Sequence, residues 1–132
     1  MVWKILHISG CKGTYLEGGI RVPFIMKWDN HIEGGQKYEY PIITLDILPT
    51  ALAVAGGEPG KIKTLDGVNL LPYISGSKKS RPHQTLYWNG DGPFSAIRYK
   101  DWKLVKMPDR LPELYNLAND PAERVNLARE KR

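Results

Sequence analysis

The chain has 132 residues, the length of one domain with a modest core, and its 42% hydrophobic and 25% charged residues argue against disorder. No apolar run approaches the ~20 residues of a membrane span, and the single cysteine, Cys11, excludes an internal disulfide. The net charge is +5, and ten Lys/Arg against four Asp between Lys61 and Arg110 leave that stretch with an excess of six; such a half suits an anionic partner, although alternating lysines on a solvated surface are the commoner cause.

Met1–Gly10 lacks the apolar core and small-residue cleavage site of a signal peptide. Val22-Pro-Phe-Ile-Met-Lys-Trp28 is continuously apolar, which predicts a strand buried in a sheet covered on both faces. Asp46 to Gly57 predicts a short helix. Asp46 serves as N-cap, Pro49 falls in the first turn, and Ile47, Leu48, Ala51, Leu52 and Ala55 form one apolar face ahead of a left-handed Gly56. Leu65–Val68 reads as a turn, Leu70–Ile74 as one or two helical turns, and Ser75–Ser80 as a polar loop.

The second half changes character. Gln84–Trp88, Phe94–Lys100, Trp102–Met107 and Glu113–Leu117 read as four strands, the first pair joined at Asn89-Gly-Asp-Gly92 and the next at Lys100-Asp101. Such close spacing predicts an antiparallel meander. Of neighbours Tyr87 and Trp88, alternation sends one inward and leaves the other exposed. Asp120-Pro-Ala-Glu123 matches a capping box, predicting a final helix whose Val125, Leu127 and Ala128 pack on the sheet. The first half, a buried-type strand and a helix without partner strands, reads as a piece of a larger parallel sheet.

Four ordered segments span Cys11 to Ala128. They are Lys12-Gly-Thr-Tyr-Leu-Glu-Gly-Gly-Ile-Arg-Val-Pro-Phe24; Thr44-Leu-Asp-Ile-Leu-Pro-Thr50 running into Ala55-Gly-Gly57; Leu65-Asp-Gly-Val-Asn-Leu-Leu-Pro72; and Ala96–Val105 with Glu113–Ala128. Together they resemble the last third of the sulfatase family, arylsulfatase type, whose alkaline-phosphatase-like fold carries a formylglycine nucleophile. The resemblance implies a fold of α/β to α+β class. Residues 1–76 would hold the last strand and helix of the parallel sheet, the incomplete end of the catalytic α/β domain. Residues 77–132 would form a small four-stranded antiparallel subdomain with a C-terminal helix.

The resemblance also implies a site. The family lysine at the position of Lys12 contacts the substrate's sulfate, and a positioned ammonium suits the charge that develops there during S–O cleavage. The intact family member uses Ca²⁺ or a similar divalent metal together with formylglycine. This segment is expected to bind neither. Cys11 is followed by Lys12, Gly13, Thr14 and Tyr15, without the proline and arginine of the family's Cys/Ser-x-Pro-x-Arg motif. The family's metal-binding Asp-Asn pair precedes the Lys-Gly-Thr segment, whereas Asp29-Asn30 and Asn89-Gly90 come after it. No catalytic residue and no metal ligand is therefore assigned. His7 and His83 are further candidates for lining the substrate entrance, and the three histidines make no ligand spacing.

Glu17, Gly18, Gly19 and Arg21 are read as structural support, the two glycines giving a tight turn with positive φ into the strand and Glu17 pairing with Arg21 or capping the turn. The expected partners are a sulfate-ester substrate and the absent N-terminal catalytic region. Neither nucleic acid nor a membrane span is expected. Relatives of this kind are often exported, to periplasm, medium or lysosome. Two alternatives stand beside this reading, a non-catalytic module for anionic glycans and a phosphoesterase or phosphonate hydrolase of the same superfamily.

Overall fold

A computed structural model describes residues 8–90 and 92–130; His7 lies outside the described residues. Of these residues, those up to Phe24 and those from Gln84 onward make one compact unit, and Ile25–His83 make the second.

The first unit is built on the predicted meander, with one short helical turn, α1 (Glu17–Ile20), ahead of it in the chain. Strands β1 (Thr85–Asn89), β2 (Ser95–Tyr99), β3 (Trp102–Lys106) and β4 (Glu113–Asn116) lie in chain order, each antiparallel to the next. Tyr99 pairs with Trp102 across the two-residue Lys100-Asp101 turn, where Lys100 takes φ +54. Period-two alternation puts Leu86, Ala96, Val105 and Tyr115 on the buried face, with Leu117 beyond β4. Trp88 packs against that core, whereas its neighbour Tyr87 is 73% exposed.

The same alternation carries Lys103 onto the buried face, with 0% exposure. Register sets Arg98 of β2 directly opposite it and Tyr115 of β4 on its other side. Two cations facing each other across a ladder repel, so this face requires buried anions from elsewhere in the unit.

The expected C-terminal helix does not form; residues 120–130 run as successive turns. Asp120 Oδ2 accepts from the amides of Arg124 and Val125, as a cap would. Glu123, however, takes φ +53, a left-handed conformation costing roughly 1–2 kcal/mol for a side-chain-bearing residue. That conformation ends the helical path and sends the Glu123 carboxylate to Lys103 Nζ, 2.8 Å away. A tertiary ion pair has overridden a local capping signal.

In the second unit, α2 (Ile47–Val54) forms where expected and ends at Gly56 with φ +82. Its burial departs from the sequence expectation, since of the expected apolar face only Leu52 is half-buried. Pro49 and Thr50 are buried, while Ile47 (49%), Leu48 (62%) and Ala51 are exposed. Short helical turns at Thr44–Asp46, Pro59–Lys61 and Leu71–Ile74 (α3) complete the unit.

The predicted strand at Val22–Trp28 is also absent. No strand is assigned there, and Val22 (70%), Phe24 (45%) and Ile25 (93%) stand in solvent. A strand of this composition needs neighbours on both edges and both faces, and the described residues supply none beside it.

Candidate functional site

Lys12 is exposed, in a turn closed by its own neighbours. The Thr14 amide donates to the Cys11 carbonyl at 3.0 Å, and the Thr14 hydroxyl donates to the same oxygen at 2.8 Å. Gly13 between them takes φ +93, which a side chain would resist. Lys12 therefore sits in a turn whose backbone is fixed by its own neighbours.

Just past the turn, the chain packs backbone on backbone. The Gly18 amide donates to the Ser9 carbonyl at 2.8 Å, and a Cβ at Gly18 would meet that oxygen at 2.6 Å. A Cβ at Gly19 would meet the carbonyl oxygen of Cys11, also at 2.6 Å. Gly18 and Gly19 lie in α1 and neither takes the positive φ expected of a tight turn; the Glu-Gly-Gly signature is instead a close approach of α1 to the two chain stretches flanking Gly10.

Glu17 is 5% exposed, and it turns away from Arg21. Its Oε1 accepts from Lys103 Nζ at 2.8 Å, and Arg98 lies 4.0 Å from Oε2. Arg21 is exposed and joins Glu17 through the backbone, its amide donating to the Glu17 carbonyl at 3.0 Å. Glu123 completes the group. One carboxylate oxygen meets Lys103, and the other accepts the Glu17 amide at 2.6 Å. Burial pushes the Glu123 carboxyl above the ordinary carboxylate range, against the opposing pull of Lys103 and the Glu17 amide. Ser9 Oγ adds a bond to the Ala122 carbonyl at 2.6 Å. Two cations and two carboxylates thus compensate each other, with Lys103 Nζ also 5.8 Å from the Trp88 ring centre.

Sequence reasoning missed Lys103 and Glu123. The signal for Lys103 was its phase with Val105 on β3. For Glu123 no local signal existed, because its sequence neighbourhood fits a helix start equally well.

His83 lies in the second unit, joined to Asp46. Its Nε2 is 2.8 and 2.9 Å from the two carboxylate oxygens of Asp46, which is fully buried. Asp46 Oδ1 also accepts the Val68 amide at 2.8 Å, and Oδ2 accepts the Ile43 amide at 2.9 Å. Asp46 is therefore a cap of a different kind from the one expected. It closes the turn before α2 and ties down the Leu65–Leu70 segment, with no bond to the amides of α2's own first turn. Thr50 finishes the clamp, donating to the Asp46 carbonyl at 2.6 Å and accepting the Leu70 amide at 2.9 Å. His31 is exposed and stacks on Trp28 with ring centres 3.8 Å apart.

Among the described residues, no three His, Cys, Asp or Glu side chains gather in a way that would hold a metal ion. Cys11 is exposed and lacks the motif for formylglycine formation. The residues present therefore do not fit either group. Nor is any helix among them long and apolar enough to cross a membrane.

A four-stranded meander that carries an Asp-Pro-x-Glu turn and packs against a Lys-Gly-Thr…Glu-Gly-Gly segment matches the C-terminal subdomain of sulfatases with the alkaline-phosphatase-like fold. The chain belongs to the sulfatase family: residues 11–132 match the family model described as N-sulphoglucosamine sulphohydrolase, C-terminal. It is similar to human arylsulfatase A, 43% identical over 143 aligned positions that cover 88% of this chain and 28% of that protein. Human steryl-sulfatase is 34% identical over 91 residues, 69% of this chain and 16% of its own length. The crystal structure of Ps i-CgsB superposes with a TM-score of 0.82 at 30% identity, covering 93% of this chain and 28% of the other. The chain thus spans between about a sixth and a little over a quarter of these relatives.

Proposed function

We propose that this chain is the C-terminal segment of a sulfuric ester hydrolase, and that Lys12 contacts the sulfate of its substrate. In this reading residues 1–76 close the catalytic α/β domain and 77–132 form the antiparallel subdomain. The family's nucleophile and metal would, in this reading, be held by residues outside 1–132, and Lys12 would act on the sulfate beside them. What carries the reading is the Lys12 turn: an exposed ammonium on a glycine-opened turn, in the segment matching the family's Lys-Gly-Thr signature.

The chemistry asked of Lys12 is electrostatic. Negative charge concentrates on the equatorial and leaving oxygens as the S–O bond breaks, and a fixed ammonium stabilises that charge without having to reorganise. Gly13 leaves room for a tetrahedral anion to approach the turn. The family match supports sulfate over phosphate or phosphonate esters as the substrate class.

The test is an aryl sulfate hydrolysis assay on this chain alone and on a longer protein carrying it behind a Cys/Ser-x-Pro-x-Arg region. The chain alone is expected to be inactive. The longer protein is expected to turn over and to lose a factor of about 10²–10³ on Lys12→Ala, the scale of removing one stabilising donor. Turnover by the chain alone, or full activity of the alanine variant, refutes the reading.

A further inference from the structure

The buried face of the sheet holds more charge than packing requires. A methionine of similar length at position 103 would fill the same space, and buried ion pairs are often no more stabilising than such replacements. What the charged group adds is direction. Lys103 Nζ sits 2.8 Å from both Glu17 Oε1 and Glu123 Oε1, and Glu123 Oε2 lies 2.6 Å from the amide that opens α1. Glu17 lies five residues beyond Lys12, and the glycines after it bring α1 against Ser9, Gly10 and Cys11, the residues that lead into the turn.

We propose that Lys103 and Glu123 are positioning residues for Lys12: the buried Glu17–Lys103–Glu123 bridge anchors the Lys12 turn to the antiparallel sheet and so fixes where the ammonium stands. This rests on the reading of Lys12 as the sulfate contact. Lys103 acts through the backbone, since it is wholly buried and has no surface to offer a substrate. The antiparallel sheet is then the base on which the anion-contacting turn is mounted. The Ser9 hydroxyl bond to the Ala122 carbonyl, one residue before Glu123, runs parallel to the bridge and holds the same two segments together.

The test uses site-resolved amide exchange and titration with inorganic sulfate on the 132-residue chain. Wild type is compared with Lys103→Met, Glu123→Gln and Lys12→Ala. In Lys103→Met, protection of the Thr14, Gly18 and Gly19 amides is expected to fall by about tenfold or more, while the β2–β3 amides stay within about threefold. The sulfate-induced shifts of the Gly13 and Thr14 amides are expected to vanish in the same variant. Glu123→Gln, which keeps an acceptor for the Glu17 amide but loses the charge, is expected to fall between. Unchanged protection of the turn overturns the proposal, and so does an equal loss at turn and strands. Should Lys103→Met fail to fold, Glu123→Gln is judged by the same two criteria. Sulfate shifts that persist in Lys12→Ala remove the sulfate reading, and with it the purpose assigned to the bridge, even where the exchange result holds. Shifts that need Lys12 but survive Lys103→Met with an ordered turn remove the bridge and leave the sulfate reading standing.

Discussion

Glu123 is a carboxylate under opposing forces. Burial favours its neutral form, the Lys103 ammonium and the Glu17 amide favour the charged form, and burial prevails, so its pKa is raised. The folded state then holds a proton more tightly than the unfolded state does. Between the ordinary glutamate pKa and the raised one, the folded chain binds more protons, so stability falls as pH rises through that window. The contribution is fully present below the ordinary value and lost above the raised one. Glu123→Gln is expected to flatten that segment of the profile, read from urea midpoints at half-unit pH steps. A variant profile that keeps the wild-type slope across the window would count against this account of Glu123.

At the scale of elements, the Asp46 junction gathers three segments of the second unit. Its two oxygens accept from Ile43, Val68 and His83, and as a buried group it has no water to replace any of them. In Asp46→Asn one oxygen becomes a donor, so at least one half-buried N–H loses its acceptor. The cost is expected to be roughly 1–3 kcal/mol, measured as a drop in urea midpoint without a change in slope; a loss below ~0.5 kcal/mol would mean that the junction relaxes. This element also shows what was legible in the sequence. Helix α2 and the four strands were readable because local signals fix them: Pro49 and Gly56 mark the helix, and alternation with tight turns marks the meander. The Val22–Trp28 strand and the final helix were not readable in the same way. Both depend on what surrounds them: the first lacks neighbouring strands here, and the second is broken by Glu123 reaching for Lys103, 20 residues earlier in the chain. At the site, Lys12 was visible only through the resemblance of its segment to the family signature, and its buried support was not visible at all, because no spacing relates residues 17, 103 and 123.

Over the whole molecule, the exposed apolar groups are the strongest sign of a missing neighbour. Val22 and Ile25 in one stretch, and Leu45, Ile47, Leu48 and Val54 on and beside α2, are all roughly half exposed or more. Surfaces of that kind seek a partner. The isolated chain is expected to self-associate, with a sedimentation coefficient that climbs with concentration; a sharp, cooperative melt from a species that stays monomeric would show otherwise. The discontinuity of the first unit has a further consequence, for the order in which the chain can fold. The meander closes through contacts between near neighbours in sequence, so it can form early. Glu17 meets its partners only across 86 and 106 residues, a large loop to close. During synthesis at ~5–20 residues per second, the Lys12 turn would wait roughly 5–20 s for Glu123 to be made. Of the two segments, the one made earlier is thus secured only when the later one arrives, and until then its Glu17 is a solvated carboxylate on an open chain.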